Sequence, residues 1–381
     1  MSKGLAAVPQ YLGDQFQTAS PGMRFGYYLP LWMEGSFKRL EDKTDALKKA
    51  CAFTEADKQH VKRLVERQAA MAKMLSAERL CRLEAESTAP FSTGLGNEHP
   101  LENGFAFLNP YGLPYLAGSG VKGVLRQAAR ELAGLGEYEW ELESRWDQAC
   151  MDALFGKEDS NNAQRGALQF WDVIPDLKAL EVEVMTPHQG HYYKAADQPH
   201  DSGQPIPINF VTVPATTNFV FHVVCDETLL HRVAPNLLQE WQTLLEEAFE
   251  HAFEWLGFGA KTAVGYGAMK RDLRAEDAHR EELEEQQQEE EESAYLATLS
   301  PVERDIEGVC KKHKGNNPAS ALLKKLDAGE WQSPEDQRLV AEKIRSLWQA
   351  EKKWNPDFSG KNKAKVKQKK HCETVLNYLD G

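Results

Sequence analysis

The chain has 381 residues, 27% of them charged and 41% apolar, with a formal net charge of −13. That length accommodates two or three domains and a sizeable core, and the absence of ~20 uninterrupted apolar residues excludes a membrane span. With no long apolar run in the opening MSKGLAAVPQ, a cytoplasmic protein with no membrane partner is expected. Six cysteines are scattered without a CxxC pair, giving neither a zinc knuckle nor a disulfide framework. Charge is unevenly spread: Arg271 to Glu292 holds eleven acids against three arginines, and Lys352 to Lys370 eight lysines against one aspartate. A basic surface on the remainder has to be a local patch.

Residues 1–38 contain GMRFGYYLPLW, whose aromatics predict a strand joining the core. Residues 39–78 read as a helical insertion, with a Thr54–Asp57 capping box and Val61, Leu64, Val65, Ala69, Ala72 and Leu75 at helical intervals. A core over 79–270 follows: strand 79–87, a glycine-rich crossing, helix 119–132, strands 167–173, 180–185 and 218–225, helix 236–256 and strand 262–269. This α+β order approximates β-α-β-β-α-β, the ferredoxin-like plan of RNA-recognition modules. Residues 271–297 are an acidic linker or exposed helix. Beyond them, 298–381 form a small helical region with a Lys-rich run, opened by two helix starts, Ser300-Pro-Val-Glu303 and Ser333-Pro-Glu-Asp336.

Two glycine clusters carry the candidate chemistry. Gly94 to Arg126 ends in GLPYLAGSGVKGVLR. Ser119 is positioned to cap a helix whose Val121, Val124, Leu125, Ala128 and Leu132 face inward. Lys122, Arg126 and Arg130 stand four apart on another face, and Gly118, Ser119 and Gly120 offer the first amides of the helix to an anion. An ordinary amphipathic helix with solvated basic residues fits the same spacing. The second cluster, GFGAKTAVGYG from Gly257 to Gly267, follows the 236–256 helix and carries Lys261 and Thr262. It is not a Rossmann fingerprint, and Ala260 stands where a Walker A loop needs glycine before the lysine.

Between the strands at 180–185 and 218–225 lies a long loop, 186–214, with His188, His191, Tyr192, Tyr193, Lys194, Asp197, His200 and Asp201. Its spacing fits no standard metal pattern, so no metal and no cofactor are expected. Nor do His99, His188, His191, Asp14 or Asp172 carry a spacing diagnostic of catalysis. His222, inside NFVFHVV, reads as a structural histidine.

The pairing of GLPYLAGSGVKGVLR with a later GFGAKTAVGYG resembles the RAMP superfamily of CRISPR proteins. GLGNEHPLENG and MTPHQGHYY are similar to segments of the subunit-six family of the type III-B, or Cmr, effector complex. The resemblance covers about Glu78 to Lys270. It implies a ferredoxin-like (RRM-like) RAMP core and a non-catalytic subunit that holds guide RNA near its 3′ end and caps the backbone filament in antiviral RNA targeting. Its partners are then CRISPR guide RNA (crRNA), target RNA and the other Cmr subunits: the backbone RAMP subunit, subunit one and the small subunit. Loop 186–214 becomes a thumb-like element. The RNA-contacting residues expected are Gly118, Ser119, Gly120, Lys122, Arg126, Arg130, Gly257, Gly259, Lys261, Thr262, His188, His191, Tyr192 and Lys194. Two alternatives remain open, a RAMP-type endoribonuclease processing CRISPR RNA and a protein-only structural adaptor.

Overall fold

A computed structural model describes residues 4–36, 38–40, 43–101, 103–135, 145–157, 162–186 and 207–380. The chain divides into two compact units, Met1–Ala278 and His279–Gly381.

The first unit is built on a four-stranded antiparallel sheet. Its strands are β1 (Leu80–Ser87), β2 (Leu168–Phe170), β5 (Asn218–Cys225) and β6 (Met269–Arg271), in the spatial order β6-β1-β5-β2. A separate hairpin pairs β3 (Glu181–Met185) with β4 (Ile208–Thr212). Strand β1 buries every second residue, Cys81, Leu83, Ala85 and Ser87, as the two-residue pleat requires. Strand β5 lies between β1 and β2, with His222 opposite Arg82 and Val223 opposite both Cys81 and Phe170. That central position explains its nearly continuous apolar sequence.

Two long helices complete the unit's core. Helix α4 (Gly118–Leu135) buries Val121, Leu125, Ala128 and Ala129, and, after the short helices α5 (Gln148–Phe155) and α6 (Glu227–Val233), α7 (Trp241–His251) buries Trp241, Leu244, Leu245, Ala248 and Phe249. Phe221 of β5 meets Phe249 and Phe258 at ring-centre distances of 5.2 Å each. Each such side chain contributes about 1.5–3 kcal/mol of burial. At their far ends α4 and α7 are joined by His251 and Glu131 at 2.7 Å, and hydrogen bonds from His251 and Gln127 hold the Glu131 carboxyl below its ordinary range.

The N-terminal segment corrects the sequence reading. GMRFGYYLPLW is not one strand: Pro21–Gly26 form helix α1, and only Trp32–Met33 are extended, pairing with Gly4–Leu5. Pro21 at the first helical position presets the turn, while Gly22 packs on Gly112 and donates its amide to the Gly112 carbonyl at 2.8 Å. Helices α2 (Thr44–Cys51) and α3 (Glu55–Lys73) follow, the latter closed by the Thr54–Asp57 capping box. The 262–269 stretch is corrected likewise. Thr262–Val264 form a 3-10 turn and extension starts only at Met269, because positive φ at Lys261, Gly265 and Gly267 breaks the pleat. Part of 186–214 is strand β4 rather than loop, its β-branched INFVT paired along the whole of β3.

The second unit has its own core. Helices α9 (Pro301–Lys312), α10 (Pro318–Asp327), α11 (Pro334–Ala350) and α12 (Lys363–Asp380) enclose Ile306, Leu322, Leu326, Val340, Ile344, Trp348, Cys372 and Val375. Ser300 and Glu303 form the expected capping box, whereas Ser333 sits at its N-cap without a side-chain hydrogen bond. The acidic stretch is helical, α8 (Leu273–Thr298), and buries none of its residues, because it has no apolar stripe.

Candidate nucleic-acid interface

The start of α4 is set by a close approach to β2. A Cβ on Gly118 would collide with the Phe170 carbonyl, so only glycine fits. The Gly118 amide donates to Asp172 Oδ1 at 2.8 Å, and the Gly120 amide turns back to the Ala117 carbonyl at 2.8 Å. This corrects two expectations. Asp172, not Ser119, closes the helix, with Ser119 exposed inside its first turn; and the amides of Gly118 and Gly120 are engaged within the protein rather than open to an anion. What α4 presents is its side-chain face: Lys122 and Arg126 half-buried, and Arg130 exposed.

The second glycine cluster is a folded loop rather than a flexible one. The Ala260 amide donates to the Ser92 carbonyl at 2.7 Å and the Gly267 amide to the Pro90 carbonyl at 2.9 Å. Gly257 and Gly259, at φ +68° and +90°, take the left-handed conformations the path needs. A Cβ on Gly259 would strike Ser92 and the Phe91 ring. Lys261 is itself left-handed, φ +61°, and its Nζ lies 5.6 Å from the Phe210 ring centre. This cation–π contact sets the ammonium against the ring, and Lys261 and Thr262 are both half-exposed. Tyr266 packs on the same ring at 5.6 Å, and burial together with Glu183 raises its hydroxyl pKa.

Trp255, just before this loop, and Val264, within it, are 70% and 72% exposed, and the sequence reading passed over both. The signal was present: Trp255 falls outside the apolar stripe that runs to Leu256, and a tryptophan on the wet side of a helix has no packing role there. His188, His191, Tyr192 and Lys194, together with Tyr193, Asp197, His200 and Asp201, lie outside the described residues. The loop following α7 meets the start of the glycine-rich crossing directly, at Pro90 and Ser92, while the 252–256 turn preceding Gly257 packs against α4.

His99 and His222 have structural surroundings. His99 stacks on Phe25 at 4.0 Å, its Nδ1 accepts the Leu101 amide at 3.2 Å, and Nε2 therefore carries the proton donated to the Phe25 carbonyl at 2.9 Å. Burial lowers its pKa, keeping it neutral. His222 is 4% exposed and stacks on Trp171 at 5.2 Å. Among the described residues, no three His, Cys, Asp or Glu side chains gather as a metal ligand set, and no helix is long and apolar enough to cross a membrane. The arrangement offers cationic side chains and an exposed indole, which suits binding of a polyanion carrying stackable rings.

Comparison with known proteins bears on this geometry. The RAMP superfamily model matches residues 31–270. A Cmr subunit of Pyrococcus furiosus, Cmr6, is 27% identical over 226 residues, which is 46% of this chain. The matched part spans 63% of that relative's length. The crystal structure of Cmr6 from P. furiosus aligns with a TM-score of 0.30 at 23% identity, covering 52% of this chain and 100% of that one. A chain in the cryo-EM structure of the Type III-B Cmr-beta bound to cognate target RNA aligns at 0.37 and 16% identity, covering 60% of this chain and 69% of that one. With the family model spanning more than half of its residues, the chain belongs to the RAMP superfamily.

Proposed function

We propose that this chain is a non-catalytic RNA-binding subunit of a type III-B CRISPR effector complex. The family match over 31–270 carries the reading, and the likeness to the P. furiosus Cmr subunit supports the choice of complex. In this reading the first unit is a ferredoxin-like RAMP core with 39–78 as a helical insertion. The antiparallel order β6-β1-β5-β2 supports that assignment, since it places the fourth, first, third and second strands of a β-α-β-β-α-β unit side by side.

Lys122, Arg126 and Lys261 are the proposed phosphate contacts, with Arg130 at the margin and Trp255 as a stacking surface for a base. Recognition is independent of sequence: base pairing reads the target, while the protein holds phosphates and the A-form shape. The subunit holds guide RNA near its 3′ end and caps the filament of backbone subunits, meeting target RNA and the remaining subunits there. The segment 186–214, which ends in strand β4, is the proposed thumb. A hydrolytic role needs a general base and acid free to reach a scissile phosphate. The hydrogen bonds of His99 and the stacking of His222 support the non-catalytic reading.

The test is guide-RNA retention in the co-purified complex carrying the wild-type chain or Lys122→Ala/Arg126→Ala/Lys261→Ala, titrated with salt. The expected result is weaker retention and a flatter salt dependence, by roughly 0.7–0.9 per lost phosphate contact in a log–log plot. Unchanged retention transfers the lead to a protein-only adaptor. Cleavage of repeat RNA by the isolated wild-type chain transfers it to an endoribonuclease.

A further inference from the structure

The lysine-rich run lies beyond the residues matched by the family, in the second unit. Its sequence is compatible with a grip on RNA through counterion release or with a strap folded back onto the acidic stretch. In the structure the run opens an ordered helix. Asn362 Oδ1 accepts the amides of Ala364 and Lys365 at 3.0 and 3.3 Å, starting helix α12 at the lysines themselves. The other end of that helix is anchored, since Cys372 and Val375 are fully buried and Tyr378 and Leu379 pack on the same core.

Helical spacing then sorts the lysines. Lys363, Lys367 and Lys370 stand at i, i+4 and i+7 on the face opposite Cys372 and Val375, and all three are exposed. Lys365 turns aside to lie over the Phe358 ring at 5.6 Å, and Lys369 approaches Glu373 at 3.7 Å. Among the described residues, no ion pair joins the run to the acidic stretch. The Glu292 carboxylate of that stretch is held instead by Lys311 of α9 at 2.8 Å. Like charges at i, i+4 repel by about 0.2–0.5 kcal/mol per pair. Among the described residues of its unit, no ion pair neutralises this cationic face.

We propose that this face of α12 is a second RNA-binding surface, which takes the phosphate backbone of RNA without regard to sequence. Counterion release from the RNA supplies the driving force. An anionic membrane is the poorer occupant, because a helix lying on a membrane inserts an apolar face, and that of α12 is already committed to the core. The proposal does not depend on the contacts assigned to Lys122, Arg126 and Lys261.

The experiment uses the full chain and a fluorescently labelled single-stranded RNA of mixed sequence, with anisotropy read between roughly 0.05 and 0.2 M KCl. Three chains are compared with wild type: Lys363→Gln/Lys367→Gln/Lys370→Gln, the same positions changed to Arg, and Lys122→Ala/Arg126→Ala/Lys261→Ala. Loss of three phosphate contacts lowers the log–log salt slope by about 2 and weakens binding roughly tenfold to a hundredfold at 0.1 M salt, whereas the Arg variant binds like wild type. A Gln variant with the wild-type slope overturns the proposal. So does lysine-dependent binding to phosphatidylserine vesicles with no lysine-dependent binding to RNA. A loss confined to the Lys122/Arg126/Lys261 variant overturns this proposal and leaves the core reading standing; a loss confined to the Gln variant does the reverse. Because the three positions are exposed, unchanged thermal unfolding of the Gln variant separates loss of contact from loss of fold.

Discussion

Asp172 Oδ1 accepts the Gly118 amide at 2.8 Å, so the first turn of α4 is closed by a carboxylate supplied from the segment after β2. The contact ties the helix to the sheet and opposes the positive end of the helix dipole with a negative charge. It also places an anion where a phosphate would otherwise approach. Asp172→Ala is therefore expected to cost about 1 kcal/mol and to lower Tm by roughly 2–4 °C. Asp172→Asn, which keeps an acceptor, should lose only part of that. Neither change should weaken RNA binding. Thermal unfolding beside a salt-titrated binding curve checks both statements, and a drop in RNA affinity in Asp172→Asn would contradict the closed helix start described above.

Arg24 is 8% exposed, donates to the carbonyls of Lys49 and Ala52, and lies 3.6 Å from Asp57. It joins α1 to the end of α2 and the start of α3 with one guanidinium. Arg24→Met leaves two carbonyls without their donor and a buried carboxylate without its counter-charge, at an expected cost of about 3–5 kcal/mol. Asp57→Asn should cost less, since Thr54 still lies beside the side chain. Urea unfolding of both single variants and the double variant measures the coupling. Additive costs would show that Arg24 acts through the carbonyls alone.

What the sequence disclosed and what it hid follow one physical division. Strand β5 was legible to the residue, Asn218–Cys225, because a central strand writes its burial into a continuous apolar run. The Thr54 and Ser300 capping boxes were legible because each closes within four residues. Contacts between distant residues were not. Asp172 reaches Gly118 across 54 positions, and Gly22 packs on Gly112, so neither the true cap of α4 nor the helical state of Pro21–Gly26 could be read locally. Helix α10 begins at a left-handed Asn317 followed by Pro318, a start easily taken for a turn. At the candidate site, spacing set Lys122 and Arg126 off the buried face of α4, but the loss of the Gly118 and Gly120 amides to internal partners was visible only in three dimensions.

Gly267 and Gly265 share the left-handed conformation, at φ +71° and +94°, but not the space around them. A Cβ at Gly267 would run into the Phe258 carbonyl, whereas nothing lies within 4 Å of one at Gly265. Gly265→Ala is expected to cost only the left-handed penalty of about 1–2 kcal/mol. Gly267→Ala must in addition displace backbone that seats Phe258 in the core, so its cost should exceed that of Gly265→Ala by at least about 1 kcal/mol. Chemical denaturation orders the two, and equal costs would show that the loop yields without disturbing Phe258.

His99 links pH to stability with a definite sign. Its Nδ1 accepts the Leu101 amide, so a second ring proton would point at another N–H, and burial further disfavours the charged form. The folded-state pKa is thus depressed below the ordinary histidine value of about 6.5. As pH falls, the unfolded chain takes up the proton first. The stability contributed by neutral His99 is complete above about pH 6.5 and is lost progressively as pH drops from there toward the folded-state pKa. Tm measured at intervals from roughly pH 8 to pH 5.5 should decline over the lower part of that range, above the region where carboxylates titrate. His99→Gln removes the titrating group and should flatten that part of the curve while lowering Tm at pH 8. An unchanged acid slope in His99→Gln would assign the decline to other histidines.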